Sequence, residues 1–326
     1  MTQAAAEVGA SALSCLTANL STYLASTMDD PFGRIARSIR LAVRFDPEPV
    51  FSHHRHCLAR LDDGRRLAYQ GADDPAIAVE RLADQIDRYA GVLALAYAGA
   101  MPWSLAEPAN TAVHLVLLTG HSGQSWLVSD AFSALLPAGP QKPFAGWIGT
   151  PELLRALRTP AALTDEQRNR IRYAFGPAVR VPRKEYRWLE PGAEDAADVD
   201  PQWIDDPDVA LPKLAGFFAR LPDREQYIDD LWAATQHHTF RYAHLRRHHP
   251  LTDTERAAVD AATTAWSGLP MSLHFAADSA RRGKPRPSLV STAFQTLRSA
   301  ELRCAPLLVR LDYAVARDGV RMKGEQ

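Results

Sequence analysis

Hydrophobic and polar positions divide the 326-residue chain into a first half of mixed helical and strand periods and a second half that is almost wholly helical. Apolar residues at helical spacing in the first half predict helices over 14–28, from Ile35 to about Asp46, over 76–89 and over 151–158. Alternating or continuous apolar runs predict strands over 51–58, 65–69, 91–97, 113–120 and 124–130. Asp62-Asp63-Gly64 between the first two strands predicts that they form a hairpin.

Prolines punctuate an acidic stretch from Glu190 to Asp208, which predicts an irregular connection between two regions. Helical periods resume after it, and the helices predicted there cover 209–220, 222–247, 252–267 and 288–303. The sequence therefore predicts an α+β region over residues 1–185 and a mostly helical region over residues 186–326.

Composition narrows the class of protein. A formal net charge of −1 argues against a nucleic-acid-binding protein. The chain has three cysteines, a small and odd number that does not indicate a disulfide scaffold and that suits a reducing compartment. Met1–Ala10 carries no Lys or Arg, and no apolar run approaches about 18 residues. We therefore expect a cytoplasmic protein with no membrane partner.

Cys15 is the first candidate for chemistry, because it lies at the start of the first predicted helix. Unpaired backbone N–H groups at a helix start favour a nearby negative charge, which would stabilise a thiolate at this position. The same N–H groups can stabilise the oxyanion that forms in acyl transfer.

A predicted hairpin supplies the other two candidates. If a three-residue loop, His121–Gly123, joins the strands 113–120 and 124–130, His114 lies directly opposite Asp130. Opposed side chains on one sheet face are about 4.5–5.5 Å apart at Cβ. A carboxylate there can fix the imidazole tautomer and stabilise its protonated form. The pairing depends on register, because a loop one residue shorter or longer would send Asp130 to the other face.

The segments Cys15–Leu20, His114–Gly120 and Val128–Asp130 resemble the amide-forming acyltransferases of butirosin-type antibiotic biosynthesis. The layout with a trailing helical region is also similar to that of lincosamide condensing enzymes. The resemblance covers roughly residues 10–160. It implies a papain-like cysteine-protease fold, in which an N-terminal helix packs on an antiparallel sheet, with Cys15 as nucleophile, His114 as base and Asp130 as the orienting acid.

The resemblance also implies a reaction. An acyl or aminoacyl group passes from the phosphopantetheine thioester of an acyl or peptidyl carrier protein to a small-molecule amine, such as that of an amino sugar. The chain has no phosphate-binding glycine loop, which agrees with a donor that arrives already activated. We expect no bound cofactor and no metal, since the phosphopantetheine is supplied on the carrier protein.

One departure from the papain-like pattern affects the oxyanion donor. Enzymes of this type usually place a glutamine about six residues before the cysteine, where this chain has Gly9. The backbone N–H of Cys15 is the leading candidate, and the side chains of Ser14 and Asn19 are alternatives.

The remaining candidates are histidines and basic residues. His54 and His56 share one face of a predicted strand and are candidates for a substrate pocket, with a metal site or ordinary strand residues as alternatives. Basic clusters either form solvated faces or dock an acidic carrier protein. The docking candidates are Arg183, Lys184, Arg241, Arg246 and Arg247.

Two other functions use or discard the same three residues. A cysteine peptidase or amidohydrolase would use Cys15, His114 and Asp130 with water as the acceptor. A binding or scaffold protein on a degenerate papain-like fold would not use them for catalysis.

Overall fold

The computed structural model describes residues 13–45, 47–54, 58, 61, 65–136, 139–175, 180–192 and 203–321. The chain forms two compact units: the first comprises Met1–Phe32 and Phe51–Pro201, and the second comprises Gly33–Val50 and Gln202–Gln326. This division differs from the predicted boundary between residues 185 and 186. A strand that begins at Tyr186 pairs inside the sheet of the first unit, and residues 33–50 belong to the second.

A six-stranded antiparallel sheet organises the first unit, in the order β3-β10-β4-β5-β6-β9. Its strands are β3 (Arg66–Ala72), β4 (Val92–Tyr97), β5 (Val113–Ser122), β6 (Ser125–Asp130), β9 (Phe144–Gly149) and β10 (Tyr186–Gly192). A separate two-stranded sheet pairs β7 (Ala134–Leu136) with β8 (Gly139–Gln141). The chain is therefore of mixed α+β class with antiparallel sheets, as the sequence predicts.

The core of the first unit lies against the centre of this sheet. Every residue of β4 is buried, because its sequence VLALAY has no polar side chain to expose except the tyrosine hydroxyl. Helices α3 (Pro75–Tyr89) and α4 (Thr150–Leu157) pack apolar residues such as Leu82 and Leu153 into the same cluster as Val116 and Leu118 of β5. The predicted helices over 76–89 and 151–158 are confirmed.

Helix α1 (Cys15–Leu24) packs against β5 and β4. Leu16, Leu20 and Leu24 are buried at spacings of four, which confirms the helical period found in the sequence, although the helix ends before residue 28. The helix begins at Cys15 because the Ser14 hydroxyl accepts the backbone N–H of Thr17.

The β5–β6 hairpin corrects the predicted register. The turn has two residues, Gly123 and Gln124, and Gly123 takes the positive φ of 58° that a tight hairpin turn requires. Gly120 therefore pairs with Leu127. If this register continued along the hairpin, Asp130 and His114 would lie on opposite faces of the sheet. A bulge between Leu118 and Gly120 shifts the register by one residue.

The bulge returns Asp130 to the required face. Beyond it Leu118 pairs with Val128, and the continued register places Val116 opposite Asp130, with His114 two residues further along β5. His114 and Asp130 are thus diagonal neighbours on one face rather than directly opposed residues, a separation that long side chains can span.

Two other predictions about the first half are wrong, and two elements lie outside the prediction. The second helix ends early: α2 covers Pro31–Ser38 and is followed by β1 (Ile39–Phe45), whose apolar residues alternate with Arg40 and Arg44. Strand β2 (Pro49–His54) lies outside the six-stranded sheet in which β3 pairs with β10, so 51–58 and 65–69 do not form the predicted hairpin. Strand β10 and helix α5 (Asp165–Phe175) lie where no element was predicted.

The second unit is mostly helical, as the sequence predicts. Its main helices are α6 (Pro207–Phe218), α7 (Ile228–His248), α8 (Asp253–Arg281) and α9 (Pro287–Arg321). Helices α8 and α9 extend well beyond their predicted ends, and α7 begins after a short 3₁₀ turn, Glu225–Tyr227. None of the helices in the described ranges combines the length and the apolar character needed to cross a membrane.

Candidate active site

Cys15, His114 and Asp130 meet in the first unit, although 115 positions separate the first from the last in the sequence. The His114 Nε2 atom lies 2.9 Å from Asp130 Oδ2, and each side chain is at most 3% exposed. The half-buried Cys15 thiol acts electrostatically on His114, whose pKa it raises, and its Sγ atom lies 3.8 Å from the carbonyl oxygen of Val113. Since Nε2 faces Asp130, Nδ1 is the ring nitrogen left for the thiol.

The charges around His114 favour its protonated form. Burial alone lowers the pKa of a histidine, but the carboxylate of Asp130 and the charge of Cys15 outweigh burial here and raise the pKa of His114 to about 10. The carboxylate and the thiol on either side of the imidazole both favour its cationic form. A cysteine beside a histidine that an acid orients is the arrangement that covalent thiol catalysis requires.

Asp130 is held as a carboxylate by donors on both of its oxygens. Oδ2 accepts His114 Nε2 and Trp103 Nε1, each at 2.9 Å. Oδ1 accepts Asn19 Nδ2 at 2.8 Å and the backbone N–H of Phe132 at 3.1 Å. Burial raises the pKa of Asp130, but His114, Asn19 and Trp103 outweigh it and bring the pKa to about 2.

Asn19 has a different role from the predicted one. Its Nδ2 group lies within hydrogen-bonding distance of the carbonyl oxygens of Leu115 (2.7 Å) and Cys15 (3.2 Å), as well as of Asp130. Its Oδ1 atom accepts the N–H of Ala131 at 2.8 Å. With both ends of the amide engaged and the side chain fully buried, Asn19 ties α1 to β5 and β6 and is not free to bind an oxyanion.

Ser14 is also engaged, because its hydroxyl caps α1 by accepting the N–H of Thr17 and is 3.1 Å from the Thr17 hydroxyl. The predicted side-chain donors of an oxyanion therefore serve structure. Cys15 and Leu16 are the first two residues of α1, where backbone N–H groups have no intrahelical acceptor. These groups are the remaining candidates.

Trp103 belongs to this site, and the sequence does not predict it. It lies in the connection between β4 and β5, outside any periodic pattern. Its indole ring stacks on the phenyl ring of Phe144, with 4.7 Å between the ring centroids and an angle of 6° between the ring planes. The signal that could have found it is chemical, because the N–H of a partly buried tryptophan requires an acceptor.

The histidines predicted to line a substrate pocket, His54 and His56, are not among the residues that the structure places around His114 and Asp130. His54 is buried on β2, outside the six-stranded sheet that carries His114 and Asp130. His56 lies outside the described residues. Within the described ranges, no group of three or more His, Cys, Asp or Glu side chains could hold a metal ion.

The predicted carrier-docking residues differ in what they contact. In the first unit, Lys184 Nζ pairs with Asp73 at 2.8 Å and Arg183 is exposed. In the second unit, Arg246 pairs with Asp260 at 2.7 Å and Arg247 is exposed. Arg241 is only 8% exposed, which makes it unsuitable as a surface contact for a partner protein. Docking at the other four stays a prediction.

Neither the comparison with protein-family models nor the comparison with curated proteins finds a match for this chain.

Proposed function

We propose that this protein is a cysteine-dependent, amide-forming acyltransferase that moves an acyl or aminoacyl group from a carrier-protein thioester to an amine. The observation that carries the proposal is a buried imidazole that lies 2.9 Å from a carboxylate and whose pKa is raised by a half-buried thiol at a helix start. These are the nucleophile, base and orienting group of covalent acyl transfer.

The arrangement of elements supports a papain-like architecture for the first unit. A helix that begins at the cysteine packs on an antiparallel sheet, the histidine lies on the strand next to that helix, and the acid ends the following strand. Asn19 adds a direct link, because it joins the second turn of the helix to both strands.

In the first half-reaction, the Cys15 thiolate attacks the carbonyl carbon of the donor thioester. The new bond joins Cys15 sulfur to the acyl carbon, the bond to the phosphopantetheine sulfur breaks, and the imidazolium of His114 gives its proton to that sulfur. An acyl-enzyme and a neutral His114 remain. The backbone N–H groups of Cys15 and Leu16, at the start of α1, are the donors we assign to the tetrahedral oxyanion.

In the second half-reaction, the amine attacks the acyl carbon and His114 takes a proton from its nitrogen. The bond from carbon to Cys15 sulfur then breaks, which releases the amide and restores the thiolate beside the imidazolium. Asp130 stabilises the charged imidazole and holds its orientation in both halves. The preference for an amine over water, the carrier-borne donor and the link to antibiotics such as lincosamides rest on the resemblance of the sequence motifs.

The test is intact-mass analysis after incubation with acyl-phosphopantetheine thioesters, free and bound to carrier proteins. We expect a mass increase equal to the acyl group, which disappears on addition of a suitable amine while an amide forms. Cys15→Ser should abolish the adduct. Cys304→Ser is the matched control and should retain it, because Cys304 is fully buried in the second unit.

Other outcomes separate the competing functions. Release of free acid at the same rate with and without amines would assign the site to a peptidase or amidohydrolase. No adduct and no consumption of any thioester, together with slow alkylation of Cys15, would favour a scaffold protein.

A further inference from the structure

We propose that Trp103 is a positioning residue for the acyl-transfer site: by sharing one carboxylate oxygen of Asp130 with His114, it weakens the hold of that carboxylate on the imidazole proton. The inference rests on the proposed function of the same site, and it assigns a role to a loop residue that the triad alone does not use.

The sharing is geometric. Trp103 Nε1 and His114 Nε2 both lie 2.9 Å from the same atom, Asp130 Oδ2, while Oδ1 is engaged by Asn19 and by a backbone N–H. Two donors on one oxygen divide its negative charge between them, so each hydrogen bond is weaker than it would be alone. The hydrogen bond between Asp130 and His114 would be stronger if the imidazole were the only donor to Oδ2.

The indole is held in place from two sides. Its ring stacks on Phe144, which β9 places directly opposite Asp130. Phe144 in turn lies over Gly146, where an added Cβ would be 2.9 Å from the end of the phenyl ring. The buried Gln141 fixes the backbone, since its Oε1 accepts the N–H of Leu105 and its Nε2 donates to the carbonyl oxygen of Trp103.

The other groups around His114 leave the carboxylate as the point of control. The titratable groups that contact it are Asp130 from β6 and Cys15 from α1. Strand β4 places Ala96 opposite it, and Phe132 contacts the ring edge-on at 5.5 Å. Neither alanine nor phenylalanine titrates. A donor that withdraws charge from Asp130 Oδ2 therefore makes the imidazolium easier to deprotonate, which both proton transfers of the proposed reaction require.

The test is the titration of His114, followed by NMR of its labelled ring in a Cys15→Ala background. Removal of the thiol removes one cause of the raised pKa, which brings the titration into an accessible range. In this background, Trp103→Phe keeps an aromatic ring against Phe144 but deletes the N–H. We expect the His114 midpoint to move to higher pH. An unchanged or lower midpoint would overturn the proposal.

A second variant covers the case in which Trp103→Phe does not fold. Gly146→Ala should displace the Phe144 ring, loosen the indole and raise the His114 midpoint by a smaller amount. Gly120→Ala is the matched control, because the nearest atom to its added Cβ is at 3.6 Å, an ordinary contact. Trp147→Phe is the control for the loss of an indole, since Trp147 is 55% exposed and lies on β9, the strand that carries Phe144 and Gly146. An effect of either control equal to that of its partner would contradict the assignment.

The readout is independent of turnover. The expected shift in the His114 titration, together with a wild-type protein that transfers no acyl group to any amine, would uphold the role of Trp103 and reject the proposed function. Acyl transfer by the wild type together with an unaltered titration in both variants would do the reverse.

Discussion

Two buried networks, one in each unit, contain the same kinds of side chain and have opposite properties. The first contains Cys15, His114, Asp130 and Trp103, and the second contains Cys304, His238, Glu301 and Trp266. In each network a tryptophan N–H and a histidine are directed at one carboxylate. A search for cysteine, histidine and acid in proximity would select both.

The order of contacts separates them. Glu301 accepts the hydroxyl of Tyr242 at 2.7 Å and the indole N–H of Trp266, whereas His238 Nδ1 is 3.4 Å away with its ring stacked on the indole. Burial lowers the pKa of His238, against the effect of Glu301. Burial and the Glu301 charge raise the pKa of the Cys304 thiol to about 11.

The two networks differ in the position of the imidazole, which the proposed acyl transfer needs between the acid and the thiol. In the first unit the carboxylate charges the histidine and the histidine faces a half-buried thiol. In the second unit the carboxylate is beside the thiol, where it opposes ionisation, and the thiol is fully buried. We therefore assign the second network to structure.

The largest expected effect comes from removing the charge of Asp130, with the same change at Glu301 as its control. Asp130→Asn should lower the rate of acyl transfer by about 10²–10⁴-fold, because the imidazole loses the group that charges and orients it. Glu301→Gln should leave the rate within about twofold of the wild type in protein shown to be folded by circular dichroism. Equal losses in both variants would remove the distinction between the networks.

The two units should respond to pH in opposite directions. The pKa of His114 lies above its usual 6.5, so its contribution to stability is complete below about pH 6.5 and is lost as pH rises through about 10. The pKa of His238 lies below 6.5, so its contribution is lost as pH falls below 6.5. The pKa of Asp130 is about 2 rather than 3.8, so its contribution is lost only as pH falls from about 4 through 2.

Hydrogen exchange, corrected for the intrinsic pH dependence of exchange, can follow the two units separately. Protection of β5 should decrease from pH 6.5 to 9.5, and protection of α7 should decrease from pH 6.5 to 5. In Asp130→Asn, the dependence in β5 should be weaker, since the main cause of the raised His114 pKa is gone. The same pH profile in both units would break the comparison.

The smallest effects come from the helix caps. Ser14→Ala and Thr252→Ala each remove a side-chain acceptor at a helix N-terminus, α1 in the first unit and α8 in the second. Each should cost about 1 kcal/mol in urea unfolding. Only Ser14→Ala should also slow alkylation of Cys15, because only that cap fixes the helix start that carries the thiol. Slower alkylation in Thr252→Ala would contradict this.

The sequence predicts that Cys15, His114 and Asp130 come together, because all three residues lie in regular elements. Cys15 opens a helix with a clear four-residue period, and His114 and Asp130 lie on strands of one hairpin. The predicted loop of that hairpin is wrong, yet the residues meet. The two-residue turn and the bulge between Leu118 and Gly120 each change the register, and together they keep the side chains on the same face.

The rest depends on contacts that carry no local signal. Trp103 reaches Asp130 from an irregular connection, and Glu301 meets Tyr242 and Trp266 across three helices. The prediction of a helix that ends near Asp46 is wrong, because Ile39, Leu41 and Val43 alternate with the period of a strand and so short a run does not separate the two periods. The sequence does not predict strand β10, because an arginine such as Arg187 is typical of a surface. In the structure Arg187 is buried and its guanidinium donates to carbonyl oxygens.

Site-resolved alkylation of the native protein by iodoacetamide tests whether His114 activates the thiol of Cys15. It is best done in a Cys57→Ser background, because Cys57 lies outside the described residues. We predict rapid modification of Cys15, a loss of at least tenfold in its rate at pH 6 in His114→Ala, and no modification of Cys304 until the protein unfolds. Equal rates at Cys15 and Cys304, or a Cys15 rate that ignores the loss of His114, would contradict the account.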